Sequence, residues 1–231
     1  MNINDLKLIS QLSANHGFKA LAYGPPGKGK TPLLATAPSP VTLFTEPGTK
    51  SLGASNLPGY AATNCAQIDD FLRWVTQSHE ARNFQTLVID SVSEMAEIKL
   101  REELPKHKNQ LKAYGEMAKW AYEWLSILYH LPNMHMYLIA KEGEGEIDGM
   151  KYKRPYFPGQ ELNTRIPHLY DGILRIIDIP KPGGAPGQMT TAIQTRSTST
   201  GVIARIRHHN PTIFSEYEPP NLAQLFAKAM S

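Results

Sequence analysis

Eight consecutive residues, Gly24-Pro25-Pro26-Gly27-Lys28-Gly29-Lys30-Thr31, carry the spacing G-x-x-x-x-G-K-[ST] of a loop that wraps phosphate. Phosphate oxygens need several donors converging on one point. A glycine-rich turn running into a helix N-terminus supplies backbone N–H groups and a favourable dipole together. Gly24 and Gly29 permit the turn and the close approach, with Pro25, Pro26, Gly27 and Lys28 between them. Lys30 would carry its ammonium to the β- and γ-phosphates of ATP, and the Thr31 hydroxyl would take one position on Mg2+. Pro32 falls in the first helical turn, where no hydrogen bond is forfeited. Gly24 to Pro32 are therefore the candidate nucleotide contacts.

Two carboxylates complete the chemistry. Glu46 follows the apolar run Val41-Thr42-Leu43-Phe44-Thr45, and Asp90 follows Thr86-Leu87-Val88-Ile89. Acids at the C-terminal tips of strands beside a phosphate loop lie where ligands bind in open α/β sheets. Glu46 is the candidate for activating water, and Asp90 for holding a Mg2+-bound water.

The surrounding elements must position these groups. Phe18 to Tyr23 reads as a buried strand entering the loop, and Leu33 to Ala37 as the helix leaving it. A short helix is expected over residues 4–13 before them. After the break at Ala37-Pro38-Ser39-Pro40 come the two acid-tipped strands, with a helical stripe at Ile68, Phe71, Leu72 and Val75 between them. Residues 51–65 look irregular. A long helical region follows Asp90, Pro105 to Lys112 interrupts it as a basic loop, and Met117 to Leu131 is again helical. Trp120 and Trp124 in that helix read as core. His135 to Ala140 and Gly172 to Ile177 are further strands. Thr190 to Arg196 and Val202 to Arg207 alternate as paired β-strands do, and a closing helix is expected over 221–230. Strands interleaved with helices give an α/β fold, a mostly parallel sheet covered on both faces, with a β-rich C-terminal edge.

At 231 residues the chain has room for one such domain, spanning residues 1–231. Its 24 Lys+Arg against 21 Asp+Glu leave a formal net charge of only +3, so any nucleic-acid surface must be local. Cys65 stands alone, which excludes an internal disulfide and a cysteine-based metal cluster. His208 and His209 lack carboxylate or cysteine partners at metal-binding spacing. With no apolar run long enough to span a bilayer and no signal-peptide core, a cytoplasmic protein without a membrane partner is expected.

The phosphate loop, Leu43-Phe44-Thr45-Glu46, Val88-Ile89-Asp90-Ser91-Val92-Ser93 and Leu138-Ile139-Ala140-Lys141 occur in this order. In that order they resemble the RecA-like P-loop ATPase core from about Lys19 to Arg207. The chain is similar to small phage-encoded AAA-type nucleotide-binding proteins, including the Sak-type single-strand annealing group. The resemblance implies an ATPase in which Glu46 orients the attacking water and Asp90 supports Mg2+. Lys141 stands where that family usually places a polar γ-phosphate sensor, often Gln. In hexameric relatives a Lys-x-Arg pair on a late strand reaches the neighbour's ATP. Gln194-Thr195-Arg196 resembles it with Gln for Lys, so Arg196 is the candidate finger and Arg207 the reserve.

The resemblance also implies single-stranded DNA binding by loops after two of the strands. Here those are the Lys106, Lys108 and Lys112 region and the Gly143 to Gly159 segment with Lys151, Tyr152, Lys153 and Arg154. Basic residues interleaved with aromatics can neutralise phosphates and stack on bases, although an exposed hairpin with solvated lysines reads the same way. The implied function is ATP-dependent annealing or pairing of single strands in phage recombination, within the bacterial host's cytoplasm. A homo-oligomeric ring or filament and a single-strand DNA-binding protein are the implied partners. The rival readings are a nucleotide-dependent protein-assembly switch that never touches DNA, and a P-loop kinase.

Overall fold

The computed structural model describes residues 2, 6, 16–53, 55–197 and 201–231. The leading helix expected over 4–13 lies, but for Leu6, outside these residues. The described chain opens with β1 (Lys19–Tyr23), the phosphate loop and a short helix α1 (Lys30–Leu33) that tightens into a 3-10 turn over Leu34–Thr36. Then come β2 (Pro40–Phe44), β3 (Gly59–Ala61), α2 (Cys65–Gln77), β4 (Thr86–Asp90), α3 (Val92–Glu103) and α4 (Gln110–Tyr129). The second half contributes β5 (His135–Ile139), β6 (Lys141–Ile147), β7 (Met150–Tyr156), α5 (Gln160–Leu169), β8 (Gly172–Pro180), β9 (Met189–Gln194), β10 (Arg205–Ile206), β11 (Tyr217–Glu218) and α6 (Leu222–Ala229).

The main sheet has the order β11-β9-β8-β1-β5-β4-β2-β3, with β10 on β8. From β8 to β3 every neighbouring pair is parallel, whereas β9 and β10 pair antiparallel with β8, and β11 pairs antiparallel with β9. Strands β1, β2 and β4 are buried at every position, because helices cover both faces of a parallel sheet. Alternation along β1 divides the core in two. Leu21 and Tyr23 join the larger cluster under α2, α3 and α4, while Ala20 and Ala22 join the smaller one with Leu33, Leu34, Leu225 and Phe226 of α1, its 3-10 turn and α6.

Four local details differ from the sequence reading. β3 is a three-residue exposed edge strand within the stretch expected to be irregular, too short and too polar to show a period. α4 begins at Gln110, where the Asn109 side chain accepts from the Leu111 N–H, so Lys112 stands on a helix and not in a loop. The Gly143 to Gly159 segment is mostly a hairpin: β6 and β7 pair with each other from Lys141↔Tyr156 to Ile147↔Met150 and form a separate two-stranded sheet. Finally, β9 and β10, expected to pair with each other, both pair with β8 instead: β9 covers Arg175 to Pro180, and β10 continues at Gly172 and Ile173.

Candidate nucleotide-binding site

The loop is shaped by glycines where no other residue fits. Gly24 has φ +156°, and a Cβ there would lie 2.2 Å from the Ile176 carbonyl oxygen. Gly29 has φ +84° and caps α1 without a side-chain bond, leaving the first N–H groups of that turn turned toward the loop. Beneath it the buried Tyr137 hydroxyl donates to the Lys30 carbonyl at 3.1 Å. Lys28 pairs with Asp178 of β8 at 2.7 Å, and Asp178 also accepts from Thr191 of β9. The loop is thus fastened from the β8 side by a charge that the motif itself leaves free.

Lys30 turns its ammonium onto its own loop, donating to the carbonyls of Gly24 (2.7 Å) and Pro25 (2.9 Å). Burial lowers its pKa, while the nearby carboxylates of Asp90, Glu46 and Glu142 favour its charge. The Thr31 hydroxyl donates to Asp90 Oδ2 at 2.5 Å, across 59 positions of sequence. Asp90 is only 4 % exposed at the tip of β4. Burial raises its pKa; the Thr31 bond and Lys30 oppose that rise, and Glu46 adds to it.

The peptide after Asp90 is cis, and Thr45 bridges it: its hydroxyl donates to the Ser91 carbonyl at 2.8 Å and accepts from the Ser91 N–H at 3.0 Å. This contact fixes the tip of β2 to the tip of β4, and so fixes Glu46 relative to Asp90. Half-buried Glu46 lines a cleft of about 500 Å³ together with Lys30, Thr31, Asp90 and Glu142.

The donor set fits a nucleotide and its Mg2+. Thr31 and Asp90 offer hard oxygens at one point, Gly27 faces open space, and Lys30 stands at the loop's centre. No cluster of three or more His, Cys, Asp or Glu able to cage a metal occurs among the described residues.

The other residues singled out in the sequence are placed as follows. Lys141 lines the cleft, but its ammonium is held by Glu94 (2.7 Å) and Glu97 (2.9 Å) of α3. Burial works against that charge and the two carboxylates outweigh it, raising its pKa. Arg196 is exposed just beyond β9. Gln194 lies opposite Arg175, itself opposite Tyr23, and β9 then runs back away from the phosphate loop, so Arg196 stands apart from its own chain's cleft. Arg207 donates to the His168 carbonyl and lies near the opposite edge of the sheet. Lys106 pairs with Glu103, whereas Lys108 and Lys112 are exposed. Lys151, Tyr152, Lys153 and Arg154 all lie on β7.

Several residues that shape the site escaped the sequence reading. Arg175 pairs with Glu142 at 2.8 Å. Ser93 accepts from the Lys141 N–H (2.9 Å) and donates to the Tyr156 carbonyl (2.6 Å), clamping both roots of the hairpin three residues beyond Asp90. Tyr23, the last residue of β1, donates to the carbonyls of Lys153 (3.1 Å) and Ile203 (2.8 Å). The hairpin is therefore rooted in the walls of the cleft. Only Ser93 had a local signal, its place just after an acid-tipped strand; the rest depend on which strands become neighbours.

The family model for an AAA domain matches residues 16–208. The chain belongs to that AAA domain family. The matched span includes the phosphate loop, both acid-tipped strands and the hairpin, and it ends just past β10. Among solved structures, this AAA domain is similar to a KaiC-like protein of the hyperthermophilic archaeon Pyrococcus horikoshii, at 14 % identity over 84 % of this chain and 81 % of that one, TM-score 0.42. It is also similar to the flagellar accessory protein FlaH of Methanocaldococcus jannaschii, at 11 % identity over 90 % of this chain and 88 % of that one, TM-score 0.46. No curated protein sequence matches it. The AAA domain has the α/β, RecA-like P-loop architecture, and none of its described helices is long and apolar enough to cross a membrane.

Proposed function

We propose that this AAA domain binds and hydrolyses Mg·ATP and, as a homo-oligomer, acts on single-stranded DNA in phage recombination, promoting annealing or pairing. The observation that carries the ATPase part is the meeting of Lys30, Thr31, Asp90 and Glu46 around one cleft at the C-terminal edge of the sheet. Thr31 and Asp90 would hold the Mg2+, which when bound would supply positive charge to offset that developing on the phosphate. Lys30 exchanges its two loop carbonyls for phosphate oxygens. Thr31 and Asp90 hold the hard-oxygen corner of the site. Glu46, its carboxylate facing the same cleft, orients a water and accepts its proton. Arg196, exposed and remote from its own cleft, is suited to reach a neighbour's site, where a cation stabilises the transferring phosphoryl group.

The DNA part is supported by the position of the hairpin, whose strand β7 carries Tyr152 and Arg154 and whose first residues, Lys141 and Glu142, line the cleft. A second reading, a protein-assembly switch, draws support from the basic residues already neutralised within the chain, Lys153 by Glu144 and Lys106 by Glu103.

Equilibrium binding of ATP and steady-state phosphate release test the enzyme reading. Lys30→Ala is expected to lose nucleotide binding. Glu46→Gln is expected to bind ATP normally and turn it over about 10²–10⁴-fold more slowly. Undiminished turnover in Glu46→Gln would remove that residue from the mechanism. Anisotropy of labelled oligo-dT at two salt concentrations separates the DNA and switch readings, because phosphate contacts are strongest at low salt.

A further inference from the structure

The hairpin presents two chemically different faces. Residues directly opposed across an antiparallel ladder share a face, and successive pairs alternate. Glu144↔Lys153 and Glu146↔Lys151 therefore share one face, and Gly143↔Arg154 and Gly145↔Tyr152 the other. The first face is a ladder of opposite charges, with the Lys153–Glu144 ion pair formed at 2.5 Å. The second has no carboxylate at these two pairs. There the Tyr152 ring lies over Gly145 so closely that a Cβ would come within 2.4 Å of it. Arg154 makes no ion pair among the described residues, and its Nε donates to the Glu144 carbonyl.

Between this second face and α5 runs a groove of about 340 Å³, within the size range of ligand pockets. Tyr152 and Arg154 line one wall. Gln160, Thr164 and His168, spaced by four along α5, line the other, and Arg205 of β10 reaches in while held on the Pro167 and Tyr170 carbonyls. Glu146 at the edge of the groove stands opposite Lys151 on the ladder. A ring face beside a guanidinium that makes no ion pair among the described residues, with polar side chains across from both, offers stacking to a base and charge to its phosphate.

From this arrangement we infer that the groove seats a segment of single-stranded DNA, with one base on Tyr152, phosphates on Arg154 and Arg205, and sugar or base edges on the α5 side chains. Lys151 and Lys153, on the self-neutralised face, take no direct part. The inference rests on the DNA reading above and narrows it to one side of one hairpin.

The test is anisotropy of labelled oligo-dT against the full-length protein at low salt. Tyr152→Leu, which still covers Gly145 but removes the ring, and Arg154→Ala are each expected to weaken binding about tenfold, the order of losing one base stack or one close phosphate contact. Tyr152→Phe retains wild-type affinity, and the double variant Lys151→Ala/Lys153→Ala stays within about twofold of it. Circular dichroism confirms that each variant is folded, and Tyr152→Phe rescue separates stacking from support of the hairpin. If the double lysine variant loses binding while Tyr152→Leu and Arg154→Ala keep it, the groove is overturned and DNA binding stands. If the wild type shows no affinity at low salt, the DNA reading and the groove fall together. Displacement of oligo-dT by inorganic polyphosphate as readily as by unlabelled oligo-dT would reduce the site to a phosphate contact and overturn the stacking.

Discussion

Asp90→Asn should make the ligand-free protein more stable while abolishing its response to Mg·ATP. Asp90 is 4 % exposed, and its one short contact is the Thr31 hydroxyl, which donates to it. An asparagine carbonyl accepts the same bond, so the substitution removes a buried negative charge and keeps the Thr31 hydroxyl paired. Burial raises the carboxyl's pKa in the folded state. The sign follows: a carboxylate with a raised folded pKa binds its proton more tightly when folded. Its contribution is therefore favourable below the unfolded pKa and is lost as pH rises through the folded one. At neutral pH the wild type carries the penalty of burying the ionised form. Relieving it should be worth on the order of 1–3 kcal/mol. At about 2–4 °C per kcal/mol for a chain of this size, that is a rise in melting temperature of roughly 2–12 °C.

Differential scanning fluorimetry across pH provides the assay. The gap between variant and wild type should be full at neutral pH and close in acid, where Asp90 is protonated. Added Mg·ATP should stabilise the wild type and not the variant. Lys30, whose charge Asp90 favours, is the opposing influence. A variant melting below the wild type at neutral pH would mean that this attraction outweighs burial, and the reasoning would be wrong.

Gly24→Ala places a methyl 2.2 Å from a backbone oxygen at φ +156°, and neither the loop nor β8 can yield cheaply; a loss of about 2–4 kcal/mol, read by urea denaturation, is expected, together with loss of ATP binding. Lys19 is wholly buried, with its ammonium on the carbonyls of Leu131 and Met134, and burial lowers its pKa to about 8 against the pull of Asp171. The folded state then releases this proton before the unfolded one does, so Lys19 adds stability as pH rises from about 8 toward 10; Lys19→Met should flatten that part of the pH–stability profile. For Arg196, mixing inactive Arg196→Ala with inactive Lys30→Ala should restore part of the ATPase rate, since each supplies what the other lacks at a shared site. No recovery in mixed oligomers would confine catalysis to a single chain.

The sequence displayed what depends on neighbours in the chain. The Gly24–Thr31 spacing, the apolar runs ending at Thr45 and Asp90, and the stripe from Ile68 to Val75 are local signals, and each became the element its period implied. What stayed hidden depends on pairing. Nothing near Lys28 announces Asp178, 150 positions away, and nothing near Glu142 announces Arg175. β3, three residues long, is shorter than the period that would reveal it.

Charge was legible only as composition. Counting bases in the 151–154 run makes Lys151, Lys153 and Arg154 equivalent, yet a strand turns successive side chains to opposite faces. Register then puts both lysines opposite Glu146 and Glu144 and leaves Arg154 opposite a glycine. The glycines of β6 are legible in the same way once the partner strand is known: Gly145 is the place where the Tyr152 ring crosses, and any side chain there would lift that ring out of the groove. The alternation of Gly and Glu from Gly143 to Glu146 thus sets one face of the hairpin for charge pairing and the other for aromatic contact. A Gly145→Val substitution, β-forming and neutral, should therefore disturb oligo-dT binding more than Glu146→Gln, which removes a charge from the ladder, and the opposite ranking would count against the two-faced reading.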